Sequence, residues 1–186
     1  MPRVVHLIRH GQSTFNALQD VTGQDPMIID APLTPLGHQQ AAERGKALAG
    51  ARYDLIISSP LTRAIQTARG IFGNNAPHVI DPLHREWVNW SCNIGRPAAE
   101  LAVDFPDLDF DHLEGNWWHV DGHVNENGII CEPHESLLQR VAAFQAMLAS
   151  RREDRIAVIG HGDFFSRVVG YGMKNCECVE WKNPHA

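Results

Sequence analysis

Two histidines in this chain follow apolar runs of strand length. Val4-Val5-His6-Leu7-Ile8 runs into Arg9-His10-Gly11, and Ile156-Ala157-Val158-Ile159 runs into Gly160-His161-Gly162. A third junction, Ser58-Ser59-Pro60-Leu61-Thr62-Arg63, follows residues 53–57 and adds a second arginine. If the three runs are neighbouring strands of an open α/β sheet, their carboxyl ends lie on the edge where such sheets hold ligands, and Arg9, His10, Arg63 and His161 face one point. That set suits a phosphate. A guanidinium fork binds two phosphate oxygens at once, a histidine donates a hydrogen bond or attacks phosphorus, and helices starting after Gly11, Ser59 and Gly162 would add backbone N–H groups.

The elements that would position these residues alternate. Residues 4–8 read as a strand, followed by a polar loop. Thr34 caps a helix with Pro35 at its first position, running towards Gly50. Residues 53–57 read as a strand, 61–72 as a helix and 78–80 as a short strand. Another helix follows Pro97, and an irregular stretch rich in Trp and His comes next. Residues 136–150 place Leu137, Val141, Phe144 and Leu148 on one helical face. Residues 155–159, a helix after Gly162 and a strand near 176–181 complete the pattern. The expected fold is a three-layer α/β sandwich, with a mostly parallel central sheet, helices on both faces and a small irregular cap.

Composition limits the function. The chain has 186 residues, 44% of them hydrophobic, and a formal net charge of −6. One domain spanning 1–186, with a cap or insertion at about 87–134, is the simplest organisation. No Lys/Arg-rich stretch offers a surface for nucleic acid or an anionic membrane, and no apolar run approaches a bilayer span. Met1-Pro2-Arg3 leads straight into a strand rather than a signal peptide, and Cys92, Cys131, Cys176 and Cys178 lack CxxC spacing and read as reduced thiols. These features predict a cytoplasmic protein with a small-molecule partner. Whether the last strand is a free edge or pairs with a second subunit as a homodimer stays open.

Read in order, the motifs are Arg9-His10-Gly11-Gln12-Ser13 with Asn16, Thr22-Gly23, Asp30-Ala31-Pro32-Leu33-Thr34-Pro35-Leu36-Gly37, Ser58-Ser59-Pro60-Leu61-Thr62-Arg63-Ala64-Ile65-Gln66-Thr67-Ala68 and Gly160-His161-Gly162. Together they resemble the histidine phosphatase (phosphoglycerate mutase-like) superfamily, and Glu135-Ser136 with Arg140-Val141 resemble its helix before the second histidine. The resemblance implies that His10 is the nucleophile that becomes phosphorylated. It implies that Arg9, Arg63 and His161 surround the transferring group, that Asn16 also touches it, and that Gly162 adds to the phosphate site. In-line transfer spreads negative charge over three equatorial oxygens, which cationic donors stabilise. Beside three cationic neighbours His10 is expected to be neutral, as attack requires. The expected activity is hydrolysis of a small phosphomonoester with release of inorganic phosphate, using neither metal nor other cofactor.

The leaving oxygen needs a proton. Glu86 matches the family's acidic position in Leu83-His84-Arg85-Glu86, where Trp87 and Trp90 could raise its pKa and an inward Arg85 would lower it; Asp163 is the runner-up. From Arg96 to Arg140 no Lys or Arg intervenes, whereas Glu100, Asp104, Asp107, Asp109, Asp111, Glu114, Asp121, Glu126, Glu132 and Glu135 do. Such an anionic cover over the pocket would repel bisphosphates and phosphoglycerates and favour a monophosphate with a neutral, aromatic or cationic remainder. Trp87, Trp90, Trp117 and Trp118 are expected to pack the cap rather than wall the pocket. His112, His119, His123 and His134 are expected to be loop residues rather than a metal site. His6 is expected in the core, and His78 and His84 have no assignable partner. Alternatives are mutase-type phosphotransfer, which lacks its usual basic, tyrosine-containing segment after Glu86, a ribonuclease-like acid–base pair, and a non-catalytic phosphate-binding module.

Overall fold

The computed structural model describes residues 4–182. Five strands, β1 (Val4–Arg9), β2 (Leu55–Ser58), β3 (His78–Ile80), β4 (Arg155–Gly160) and β5 (Cys178–Trp181), form one sheet in the order β3-β2-β4-β1-β5. The first four run parallel, and β5 lies antiparallel to β1 at an edge. Helices α1 (Thr14–Thr22), α2 (Pro35–Leu48), α3 (Thr62–Phe72), α4 (Ala98–Asp104), α5 (His134–Ser150) and α6 (Gly162–Val169) connect or flank the strands.

Strand alternation sorts the core into two layers. Val5, Leu7, Leu55, Ile57, Ile156 and Val158 point to the face covered by Phe144 and Leu148 of α5 and Phe164 and Phe165 of α6. Ile8, Ile56, Ala157 and Ile159 point to the other face, against Ala64, Ala68 and Phe72 of α3. With both faces covered, β2 and β4 read as continuous apolar runs rather than alternating ones. The three-layer expectation matches this arrangement. His84, for which the sequence suggested no partner, is fully buried, with Nε2 3.1 Å from the Ile159 carbonyl and its ring stacked on Phe165. His78 Nε2 lies 2.7 Å from Ser58 Oγ, and half-buried His6 holds the Tyr53 hydroxyl at 2.6 Å.

Two local expectations need correction. The segment after His10 is not a polar loop throughout but contains α1, whose Ser13 N-cap accepts from the Asn16 N–H while Asn16 Oδ1 accepts from the Ser13 N–H. Only Phe15 in this helix is buried, and Val21 is 84% exposed, so no apolar stripe advertises it. At the other end, Cys176 precedes β5 rather than joining it and has a positive φ of 54°.

The stretch between α3 and α5 is anchored by its own apolar cluster. Leu101, Phe105, Phe110, Leu113 and Trp117 pack onto Leu61, Ile65 and Ile80. Trp117 also donates its indole N–H to the Arg96 carbonyl, and Trp118 packs edge-on against it. All four cysteines are free. No helix among the described residues is long and apolar enough to cross a membrane.

Candidate active site

Parallel pairing of β1 with β4 puts Arg9 opposite Gly160, so the next residues, His10 and His161, leave adjacent strands side by side. Their ring centroids are 5.2 Å apart and both side chains are buried. His10 Nδ1 lies 2.7 Å from the Gly11 carbonyl, while Arg63 Nε donates to His10 Nε2 at 3.3 Å. Both contacts are satisfied by one tautomer, with the proton on Nδ1 and the lone pair on Nε2. The loop carrying His10 is tied down from several directions. The Gly11 N–H donates to Thr67 Oγ1, Asn175 Nδ2 donates to the His10 carbonyl, and the Cys176 N–H is shared between the carbonyls of Arg9 and His10. A Cβ at Gly37 would stand 2.1 Å from the Gln12 carbonyl oxygen, which requires glycine where α2 crosses this loop.

Arg63 lies in the first turn of α3 and is 2% exposed. Its Nη1 donates to the Cys92 carbonyl at 2.7 Å and its Nη2 to Asn93 Oδ1 at 3.0 Å. Asp30 secures the same helix start by accepting from the Thr62 N–H and hydroxyl, and it pairs with Arg96. Arg9 Nη1 donates to the Met173 carbonyl at 2.6 Å, and its buried Nε has no partner among the described residues. Neither do the two ring nitrogens of His161. A Cβ on Gly162 would come within 3.1 Å of Arg9 Nε, so glycine lets the α6 N-terminus approach that guanidinium.

The cavity these residues enclose measures about 310 Å³, and its lining includes Arg9, His10, Asn16, Arg63, Glu86 and Gly162, with Phe15, Trp90 and Met173 as its apolar part. Burial, followed by the Arg63 and Arg9 guanidiniums, pushes His10 well below its ordinary pKa against the opposing Gly11 carbonyl. Burial, Arg63 and His10 push His161 down in the same way. Both rings are therefore neutral, and the site has two cations rather than the three expected around His10.

Glu86 sits across the cavity and is buried. Its Oε1 accepts from the N–H groups of Trp87 and Phe164 at 2.9 Å each, and its Oε2 accepts from the Asp163 N–H at 3.0 Å. Burial and the Asp163 carboxylate raise its pKa, while the N–H donors and Arg63 oppose the rise. Arg85 turns away towards Glu132, at 3.3 Å. The structure thus brings together on the cavity lining Arg9, His10, Asn16, Arg63, Glu86 and Gly162, with Asp163 also there, while His161 is off the lining and meets it through its ring contact with His10.

The acidic cover is not there. None of its ten carboxylates is on the cavity lining. Asp104 pairs with Arg96, Asp107 with Arg69, and Glu132 is buried against Arg85 and Arg140. These arginine partners lie outside the cation-free segment, so composition within it overstated its field. Of the four tryptophans only Trp90 lines the cavity, edge-on to Phe15; Trp87 instead donates its indole N–H to the Glu132 carbonyl. No group of three or more His, Cys, Asp or Glu able to hold a metal is gathered among the described residues. His112 bonds the Ile80 carbonyl instead. Cys92, Asn93 and Met173 escaped the sequence reading because Cys92 and Met173 act through their backbone carbonyls and Asn93 lies in a segment without periodicity; Thr67 stood within a quoted motif without a role and acts through its hydroxyl.

The profile of the histidine phosphatase superfamily (branch 1) matches residues 5–183. The chain belongs to that superfamily. Among curated relatives, fructose-2,6-bisphosphatase TIGAR B of Danio rerio is 41% identical over 100 residues, covering 51% of this chain and 37% of the relative. A phosphoglycerate mutase-like protein of Arabidopsis thaliana is 26% identical over 218 aligned positions, covering 94% of this chain and 76% of the relative. The chain thus matches little more than a third of the length of the TIGAR relative. The fold is shared with the α-ribazole phosphatase of Shigella flexneri, with a TM-score of 0.63, 21% identity and coverage of 94% of this chain and 88% of that one. It is also shared with a phosphoserine phosphatase of Entamoeba histolytica, with a TM-score of 0.58, 23% identity and the same two coverages, 94% and 88%.

Proposed function

We propose that this chain hydrolyses a small phosphomonoester through a phosphohistidine on His10, with Glu86 as proton donor. The observation that carries the reading is the tautomer of His10. Its Nδ1 is committed to the Gly11 carbonyl, so the proton sits there and Nε2 carries the lone pair, which accepts from Arg63 Nε until a phosphoryl group displaces that contact. Nε2 attacks phosphorus, the P–O bond breaks, and the leaving oxygen takes the Glu86 proton. Water then attacks the phosphohistidine and gives a proton to the Glu86 carboxylate; the N–P bond electrons return to Nε2 and orthophosphate leaves. Arg9, Arg63, the Asn16 amide, the α6 N-terminus at Gly162 and a neutral His161 donating one hydrogen bond surround the equatorial oxygens, where charge develops. The guanidiniums take the neutralising role that a metal fills elsewhere.

The preference for a monophosphate now rests on the lining rather than on the cover. Arg9 and Arg63 are the only cationic side chains that line the cavity among the described residues, and in this reading both serve the one transferring phosphate. Phe15, Trp90 and Met173 beyond them favour a neutral or aromatic remainder. The four free thiols fit a reducing, cytoplasmic setting. Mutase activity is the second reading, favoured by the Arabidopsis relative's name.

Release of phosphate from p-nitrophenyl phosphate and a monophosphate panel in EDTA, for wild type and His10→Ala in parallel, tests the proposal. Turnover that disappears with His10 supports it; turnover surviving in His10→Ala, or only 2-/3-phosphoglycerate exchange, overturns it. Phosphate binding without turnover would point to a binding module.

A further inference from the structure

Glu86 lies in residues 85–90, which form neither helix nor strand, yet its carboxyl has to be held across the cavity from His10. The hydrogen bonds around it trace back to one residue. Arg140 of α5 donates Nη1 to the carbonyls of Leu83 and Arg85, at 2.9 Å each. Glu132 grips that guanidinium with both oxygens, at 2.8 Å from Nε and 2.7 Å from Nη2. Its Oε1 also accepts from Ser136 Oγ at 2.8 Å and Arg85 Nη2 at 3.3 Å. Its backbone reaches the other flank: the Glu132 N–H donates to the Val88 carbonyl and the Glu132 carbonyl accepts the Trp87 indole N–H, both at 2.7 Å. Arg140 further lies over the ring of Phe164, whose N–H holds Glu86 Oε1.

Residues 83 and 85 are therefore pinned through Arg140 by the Glu132 carboxylate, and residues 87 and 88 by the Glu132 backbone, in a residue that is itself 2% exposed. Burial would push that carboxyl up, but Arg140, Arg85 and Ser136 hold it below its usual value, so it is ionised and grips as a charge. A bidentate arginine pair also fixes direction as well as distance.

We propose that Glu132 is a positioning residue for phosphoryl transfer: through Arg140 and its own backbone it aims the Glu86 carboxyl at the leaving oxygen. The proposal rests on the reading of Glu86 as proton donor. A purely structural ion pair would slow every substrate alike. A misaimed acid slows only substrates whose leaving group needs its proton: an alkoxide does, p-nitrophenolate does not.

The test is kcat/KM for glycerol 2-phosphate and for p-nitrophenyl phosphate, taken as a ratio, since kcat/KM reports transfer to His10 from either substrate. Glu86→Gln should lower the alkyl value about 100-fold and the aryl value less than about fivefold. Glu132→Gln, which points an amide N–H at Arg140, should show the same selectivity at about tenfold, and the double variant no more loss than Glu86→Gln. Equal slowing of both substrates by Glu86→Gln overturns the proton-donor reading and the proposal with it. Selective loss in Glu86→Gln with an unchanged ratio in Glu132→Gln overturns the positioning role alone. Should Glu132→Gln fail to fold, Trp87→Phe removes one bond of the clamp without stranding a charge. It should shift the ratio by about two- to threefold, and an unchanged ratio overturns the proposal.

Discussion

The floor of the cavity and its far wall are held by different means. His10 and His161 follow strands whose backbone ladder sets them side by side, above a core in which Ile8, Val158 and Ile159 are fully buried. Glu86 sits in a segment with no ladder of its own and is held by the Arg140 side chain of α5 and by two backbone N–H groups at the start of α6. Where a sheet sets geometry, many small contacts share the task and a side chain can change without moving its neighbours. Where single side chains set it, one substitution can move the group. Floor substitutions should therefore alter chemistry in an intact frame, and wall substitutions should alter aim.

His10→Ala is the strongest test of the floor. It should lower kcat/KM by about 10⁴ or more and abolish any acid-labile phosphoenzyme, with the circular dichroism spectrum unchanged. Loss of fold in this variant would break the contrast.

Arg63 belongs to both regions, touching His10 with Nε and the wall at Cys92 and Asn93 with its two Nη atoms. Arg63→Lys keeps the charge but loses the fork. It should cost about 10²- to 10³-fold in kcat and also lower the melting temperature, because the Cys92 carbonyl and Asn93 lose buried donors. A rate loss with no thermal shift would assign Arg63 to the floor alone.

Titration separates the two regions by sign. On the floor, burial holds His10 and His161 below their ordinary pKa, and His84 beneath them is lowered to about 4. As pH falls below about 6.5 the unfolded chain takes up protons that these rings refuse, so their stabilisation is complete above that pH and is lost on acidification. Glu86 is raised, so its contribution runs the other way and declines as pH rises. With His6 and His78 also lowered and Asp30 also raised, five histidines against two carboxyls make the urea midpoint fall as pH drops from about 7 to about 5. In kinetics, alkyl-phosphate turnover should decline with rising pH as Glu86 deprotonates, while aryl-phosphate turnover should decline less; identical profiles would remove the wall from the chemistry.

The smallest effect belongs to Asn16, whose Oδ1 accepts from the Ser13 N–H at the start of α1. Asn16→Ala should cost about 0.5–1.5 kcal/mol in chemical denaturation and only a modest rise in KM. A loss as large as that of Arg63→Lys would place α1 with the floor.

The same division explains what the sequence disclosed. The floor was legible, because β1 and β4 are apolar runs ending in Arg9-His10 and His161, and Thr34-Pro35 marks the start of α2. The wall was legible only at Glu86, by position within a motif. Glu132 counted as one more acid in an acidic stretch, because its partner Arg140 lies eight positions on in the next helix and nothing local shows that both are buried. The resemblance drawn on Glu135-Ser136 likewise passed over it: Glu135 is exposed and Glu132 is the residue that meets Arg140. Helix α1 was missed because its outward face carries Leu18 and Val21.

Strand β1 has a bearing on how this chain acquires its shape. It is the first of the five described strands to be synthesised, yet both its neighbours, β4 and β5, come from the last part of the described chain. The loop bearing His10 likewise waits for Asn175 and Cys176. Until those residues emerge, an apolar strand with two unpaired edges must be kept from other partners. Such long-range closure slows folding, and a nascent chain halted before residue 155 would display that strand to chaperones and to other copies of itself.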